Sequence, residues 1–170
     1  MKLRAGSDPG RTRQFAKVAT GGTFDHIHAG HRSLLERSFQ EGDEVIIGLT
    51  SDEFVAKAGK KTLHAYDQRE ASLRRFIEKT FPGRRYVVAK LYDYFGPGIV
   101  DGGVEALVAS PETSSRLEIA NRLRAAKGLA PMALVTIDWV PAEDGRPISS
   151  TRIRKGEVDT EGRLRGRRAA

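Results

Sequence analysis

The chain has no cysteine, which excludes disulfides, thiolate-held zinc, iron–sulfur clusters and a thiol nucleophile. Aromatic residues make up 7%, with a single tryptophan, so there is no run of rings of the kind that stacks on single-stranded nucleic acid. No apolar run reaches the roughly 18 residues of a membrane-crossing helix. The opening segment MKLRAGSDPGRTRQ has no apolar stretch resembling a secretory signal. These absences leave a cytoplasmic globular protein as the expectation. A length of 170 residues favours one domain.

The net charge of +7 is unevenly placed: +4 over residues 1–17, +5 over 146–170, and −2 over the 128 residues between them. A tail such as Arg163-Leu-Arg165-Gly-Arg167-Arg168 could touch nucleic acid electrostatically. Without interleaved aromatics it reads as a solvated terminus, and a nucleic-acid partner is not expected. Residues 1–14 and 160–170 read as flexible ends around a domain spanning 15–159.

Within that domain, short apolar runs alternate with helical stripes. The runs predict strands at Phe15–Thr20, Glu44–Thr50, Arg85–Leu91, Val104–Ala109 and Ala133–Val140. Several, such as Val45-Ile-Ile-Gly-Leu49, are continuously apolar, as strands covered on both faces require. Leu34, Leu35, Ser38 and Phe39 share one helical stripe; Leu73, Phe76 and Ile77 share another; Leu117, Ala120 and Leu123 share a third. Thr113 or Ser114 would cap the third helix and Gly128 would end it. The alternation predicts a single-domain α/β fold: a Rossmann-like, doubly wound, five-stranded parallel sheet with helices on both faces. Ligands in such a sheet lie beyond the strands' carboxyl ends. The segments to search are therefore Thr20–His31 and the loops near residues 50–61, 109–113 and 141–151.

The first strand ends in Thr20-Gly-Gly-Thr-Phe-Asp-His-Ile-His-Ala-Gly-His31, then an amphipathic helix follows. Gly21 and Gly22 let backbone approach a ligand, and the helix start attracts phosphate. His28 and His31 lie three apart and can share one side of the first turn, suited to charge developing on a phosphoryl group. Three of the four histidines fall between positions 26 and 31. A zinc triad of His26, His28 and His31 is the rival reading. His26 and His28 sit only two apart on a loop and no His-Glu-x-x-His is present, so no protein-held metal is expected; Mg²⁺ arriving with nucleotide phosphates fits better.

Gly22-Thr-Phe-Asp-x-x-His28-x-Gly-His31 resembles the signature of the nucleotidyltransferase superfamily, whose second mark stands here as Ile148-Ser-Ser-Thr-Arg-Ile-Arg154. Together with Leu49-Thr-Ser-Asp and Ser110-Pro-Glu-Thr113, these phrases are similar to the phosphopantetheine adenylyltransferases of the archaeal and eukaryotic type. The resemblance implies transfer of the adenylyl group of ATP to 4′-phosphopantetheine, giving dephospho-coenzyme A and pyrophosphate, with Mg²⁺ accompanying ATP. It implies catalytic roles for His28, His31 and Lys60. It implies nucleotide contacts from Gly21, Gly22, Thr23, Phe24, His31, Ser149, Ser150, Thr151 and Arg154, and acceptor contacts from Thr23 and Lys60. The arginine pair of bacterial members after the fourth strand is replaced by Ser110 and Thr113. Arg116, Arg122 and Arg124 are the alternatives for the missing charge. Glycerol-3-phosphate cytidylyltransferase and flavin-mononucleotide adenylyltransferase share the first motif and are the rival activities; a nucleotide-binding module without catalysis is the rival class. Neither oligomeric state nor feedback by coenzyme A is written in the sequence.

Overall fold

The computed structural model describes residues 13–166. In chain order the elements are β1 (Phe15–Gly22), α1 (Ala29–Glu41), β2 (Gly42–Thr50), α2 (Asp52–Lys57), α3 (Tyr66–Thr80), β3 (Arg85–Leu91), α4 (Pro97–Val100), β4 (Ala106–Ala109), α5 (Pro111–Ser114), α6 (Leu117–Ala126), β5 (Ala133–Thr136) and α7 (Ser150–Arg154). The five strands form one parallel sheet in the order β3-β2-β1-β4-β5. The order reverses between β1 and β4, which opens a crevice at their carboxyl ends.

The pleat divides the apolar residues between two faces. Val18, Val45, Ile47 and Leu49 pack with Leu34, Leu35 and Phe39 of α1 and Leu73 and Ile77 of α3. Ala19 and Ile46 pack on the other side with Ile99, Val104, Ala120 and Met132. A small third cluster of Ala142, Ile148 and Val158 joins the segment before α7 to Ala29 at the start of α1.

Several boundaries differ from the sequence expectation. β1 runs on through Gly22 because Gly21 and Gly22 pair with Gly48 and Leu49 of β2. β5 stops at Thr136, not Val140, because its one neighbour ends at Ala109, in register with Thr136. Ile137–Val140 therefore leave the ladder. Thr113 and Ser114 do not cap α6; they lie in the separate turn α5, where the Thr113 hydroxyl donates to the Ser110 carbonyl at 3.2 Å. Gly128 does end α6, at φ +71°, a left-handed value that glycine takes without strain.

Arginines occupy two core positions. Arg69, its side chain sealed from solvent, donates to the carbonyls of Thr23 (2.8 Å), Thr50 (2.8 Å) and His64 (3.1 Å) and to Asp52 (2.8 Å). It thereby ties the carboxyl ends of β1 and β2 together. Arg124 donates to the carbonyls of Ile99, Asp101, Val104 and Ala130. Each is a planar fork with five donors, able to satisfy several buried carbonyls at once.

The chain makes contacts with the domain past residue 159. Thr160 accepts the Ala29 N–H at 3.0 Å, Glu161 pairs with Arg32 at 2.6 Å, and Leu164 donates its N–H to Glu143 at 2.8 Å. Arg13 likewise donates to the Phe39 carbonyl at 2.8 Å. Residues 160–166 thus lie against the domain. The remainder of the expected basic ends, 1–12 and 167–170, falls outside the described residues.

Candidate active site

A cavity of about 990 Å³ opens at the carboxyl ends of β1, β2 and β4, a size typical of small-molecule sites. His28, His31, Lys60, Gly21, Gly22, Thr23, Ser149, Ser150, Thr151 and Arg154 all line it. The two motifs, about 120 residues apart, therefore face one space. Phe24 does not line it. Its ring is fully buried in the core and lies 4.7 Å from the His31 ring.

The His-x-Gly-His pattern has a local physical cause. His28 is the N-cap of α1, and its Nδ1 accepts the N–H groups of Gly30 (3.1 Å) and His31 (3.4 Å). The ring folds back over residue 30, where a Cβ would sit 3.0 Å from its Cε1, a tight contact that glycine avoids. Because Nδ1 accepts, the proton of neutral His28 lies on Nε2. His31 has the opposite tautomer: its Nδ1 lies 2.8 Å from the His26 carbonyl, which can only accept. Neutral His31 consequently carries its proton on Nδ1 and a lone pair on Nε2. The rings stack at 3.8 Å.

Burial, then the nearby charges of His31, Arg32 and His26, lowers His28 to about 3. Burial also dominates at His31; the His26 carbonyl and Asp25 pull upward, yet it falls to about 4. Without a ligand both rings are neutral at pH 7.

Opposite them, the Ser149 hydroxyl caps α7 by accepting the Arg152 N–H at 3.2 Å. Arg154 turns toward the cavity. It donates to the Thr151 hydroxyl at 3.2 Å and reaches Asp25 at 3.5 Å, while Glu157 is taken by Arg152 at 3.0 Å. Thr23 accepts from the Thr50 hydroxyl at 3.2 Å. Lys60 and Lys61 stand exposed on the loop after α2.

The three arginines separate cleanly. Only Arg116 lines the cavity, its guanidinium 3.7 Å from the centre of the Tyr94 ring. Arg122 is solvent-exposed and paired with Glu118. Arg124 is the buried carbonyl clamp described above.

Three features escaped the sequence reading. The loop after β3, with Tyr94, Phe95 and Gly96, forms one wall, and Asp138 and Trp139 form another because β5 ends early. Asp25 lies buried at the cavity's edge. Alternating tyrosines and the lone tryptophan were the available signals. Asp25, His26 and His64 place donor atoms within 4.8 Å of one another. Both Asp25 oxygens accept N–H bonds, and the Arg154 guanidinium lies 3.5 Å from Oδ2. His26 Nε2 is buried with no partner among the described residues.

The model of the cytidylyltransferase-like family matches residues 19–156. The chain belongs to this family. Among its relatives, the phosphopantetheine adenylyltransferase of Methanopyrus kandleri is 44% identical over 147 residues, covering 86% of this chain and 92% of that one. The phosphopantetheine adenylyltransferase of Methanosarcina barkeri is 43% identical over 152 residues, covering 88% and 92%. A crystal structure of a protein of unknown function from Archaeoglobus fulgidus superposes with a TM-score of 0.64 at 29% identity, over 72% of this chain and 89% of that one. Both motifs fall within residues 19–156 of this cytidylyltransferase-like domain and lie on the same cavity. Among the described residues no helix is long and apolar enough to cross a membrane.

Proposed function

We propose that the chain transfers the adenylyl group of ATP to 4′-phosphopantetheine, releasing pyrophosphate and forming dephospho-coenzyme A, as a cytoplasmic enzyme of coenzyme A synthesis. The observation that carries this reading is the match to archaeal phosphopantetheine adenylyltransferases over nearly their whole length. The cavity supports it in chemical terms. The acceptor's own phosphate is the nucleophile, attacking the α-phosphorus in line, so no covalent enzyme nucleophile is required. What the protein must supply is positioning and charge stabilisation.

In this reading His28 donates its Nε2–H to an oxygen of the reacting phosphate while uncharged, and His31 donates there once protonated. Thr23, Gly21 and Gly22 offer close backbone and hydroxyl contact. Ser150, Thr151 and Arg154 hold the outer phosphates, and Ser149 keeps α7 in place for them. Lys60 receives the acceptor phosphate. The exposed ring of Trp139 offers a flat face to a base. Of the carboxylates lining the cavity, Glu112 and Asp138 are the ones not enclosed by N–H donors as Asp25 is, and they would face a Mg²⁺ brought in with ATP, whose charge would offset that of the phosphates.

The test is pyrophosphate release with ATP, Mg²⁺ and 4′-phosphopantetheine, run beside CTP with glycerol 3-phosphate and ATP with flavin mononucleotide. Turnover only with the first pair is expected. Turnover with another pair would keep the phosphate site and replace the acceptor. Nucleotide binding without turnover of any pair would leave a binding module.

A further inference from the structure

Asp25 is a buried carboxylate beside a pocket that would hold polyphosphate, where a negative charge by itself opposes binding. Its partners give the reason for its presence. Oδ1 accepts the His64 N–H (3.1 Å), the His64 ring Nδ1–H (3.0 Å) and the Leu63 N–H (3.2 Å); Oδ2 accepts the Leu63 N–H (3.0 Å) and faces Arg154 at 3.5 Å. Leu63 and His64 follow Lys60 and Lys61 on the loop between α2 and α3, while Arg154 comes from α7. Two segments that contribute cations to the cavity, that loop and α7, therefore meet the turn after β1 on one side chain. The turn itself is unusual. Phe24, just before Asp25, has φ +49°, the one positive value at a non-glycine among the described residues. Such a conformation persists only where its surroundings fix it, here through the fully buried Phe24 ring.

We propose that Asp25 is a positioning residue: its carboxylate fixes the lysine-bearing loop and Arg154 at preset places around the phosphate pocket. A carboxylate is needed because both oxygens must accept. Asparagine has nearly the same shape but would turn an N–H₂ toward the N–H groups of Leu63 or His64. Burial works against the charged form, but the N–H groups of Leu63 and His64 and the His64 ring hold it below its ordinary value, so it is ionised at neutral pH.

The decisive test uses a difference in sign. If Asp25 acts only as a local charge, D25N tightens binding of inorganic pyrophosphate by removing repulsion. If it positions the cations, D25N weakens that binding at least fivefold by calorimetry. Amide exchange of Leu63 and His64, followed by NMR, speeds up tenfold or more, while exchange across β1 and β2 is unchanged. Equal or tighter pyrophosphate binding, or unaltered exchange at Leu63 and His64, overturns the proposal. Neither measurement depends on the adenylyl-transfer reading. The kinetic arm does rest on it: K60A raises the KM for 4′-phosphopantetheine in the wild-type background, and less than twofold further in D25N. A full K60A effect in both backgrounds overturns the coupling. If D25N does not fold, H64A removes only the ring donor and weakens pyrophosphate binding in the same direction by a smaller factor; unchanged or tighter binding there overturns the proposal instead.

Discussion

At the scale of single residues, the two histidines of the first motif are chemically unequal although the sequence writes them alike. His28 presents an N–H at Nε2 while neutral, because the helix start occupies its Nδ1. His31 presents a lone pair there, because the His26 carbonyl takes its Nδ1 proton. The groups that act on His31 are His26, His28, Asp25 and the helix start, and in the free protein it holds no second proton near neutrality. A phosphate placed against Nε2 favours the charged form. Binding of ATP at pH 7 is therefore expected to draw in roughly one proton at His31. Calorimetric binding enthalpies in buffers of different ionisation enthalpy measure this directly. The slope should be positive for wild type and vanish in His31→Asn; a flat wild-type plot would mean that His31 serves without a second proton.

At the scale of elements, α6 and the turn before it carry three arginines with three separate fates. Arg116 sits where α6 begins, beside the cavity; Arg122 lies on the outer face; Arg124 lies on the inner face, bonded to carbonyls of the β3–β4 connection and of the loop after α6. Arg116→Ala is expected to raise the KM for 4′-phosphopantetheine several-fold with the melting temperature unchanged. Arg122→Ala should change neither quantity, its pair with Glu118 being exposed. Arg124→Met should cost about 2–4 kcal/mol of stability by leaving buried carbonyls unsatisfied, with KM values near wild type where the variant is folded. Parallel denaturation and steady-state kinetics on the three variants check this; a kinetic effect confined to Arg122→Ala would reverse the assignment. The helical stripe of Leu117, Ala120 and Leu123 held at Ala120 and in part at Leu117, but Leu123 is exposed and Arg124 takes the inward place. The stripe could not distinguish an arginine that clamps carbonyls from one that meets solvent.

At the scale of the whole molecule, buried histidines and bonded carboxylates together shape the response to acid. His28 and His31 are depressed to about 3 and about 4. The unfolded chain binds protons at these residues first, and stability falls as the pH drops below about 6.5. Asp25, Asp52 and Asp101 are held below their ordinary values, Asp52 by the Tyr66 N–H and Arg69, Asp101 by the Gly103 N–H and Lys17. Their contribution is present above about pH 4 and is lost as the pH falls further. Scanning calorimetry from pH 7.5 to 3.5 should show the melting temperature declining already between 6.5 and 4.5, and more shallowly with ATP bound. A flat profile above pH 4.5 would show that the histidines titrate alike in both states.

The sequence by itself determined the alternation of strands and helices, the doubly covered sheet and the glycine turn at the end of β1, and the pairing of the two motifs came through the family resemblance they carry. The first three follow from local quantities: apolar runs that need cover on both faces, and a helix start after Gly21 and Gly22. Tertiary structure alone decided the rest. It ended β5 four residues early by withholding a partner strand, turned Ile137–Val140 into a cavity wall, moved Phe24 into the core, and sorted the arginines. It also drew Thr160 and Glu161 against α1. Those outcomes depend on ladder register and on which distant carbonyls and carboxylates need donors. Both are properties of segments brought together by folding, and no spacing along the chain records them.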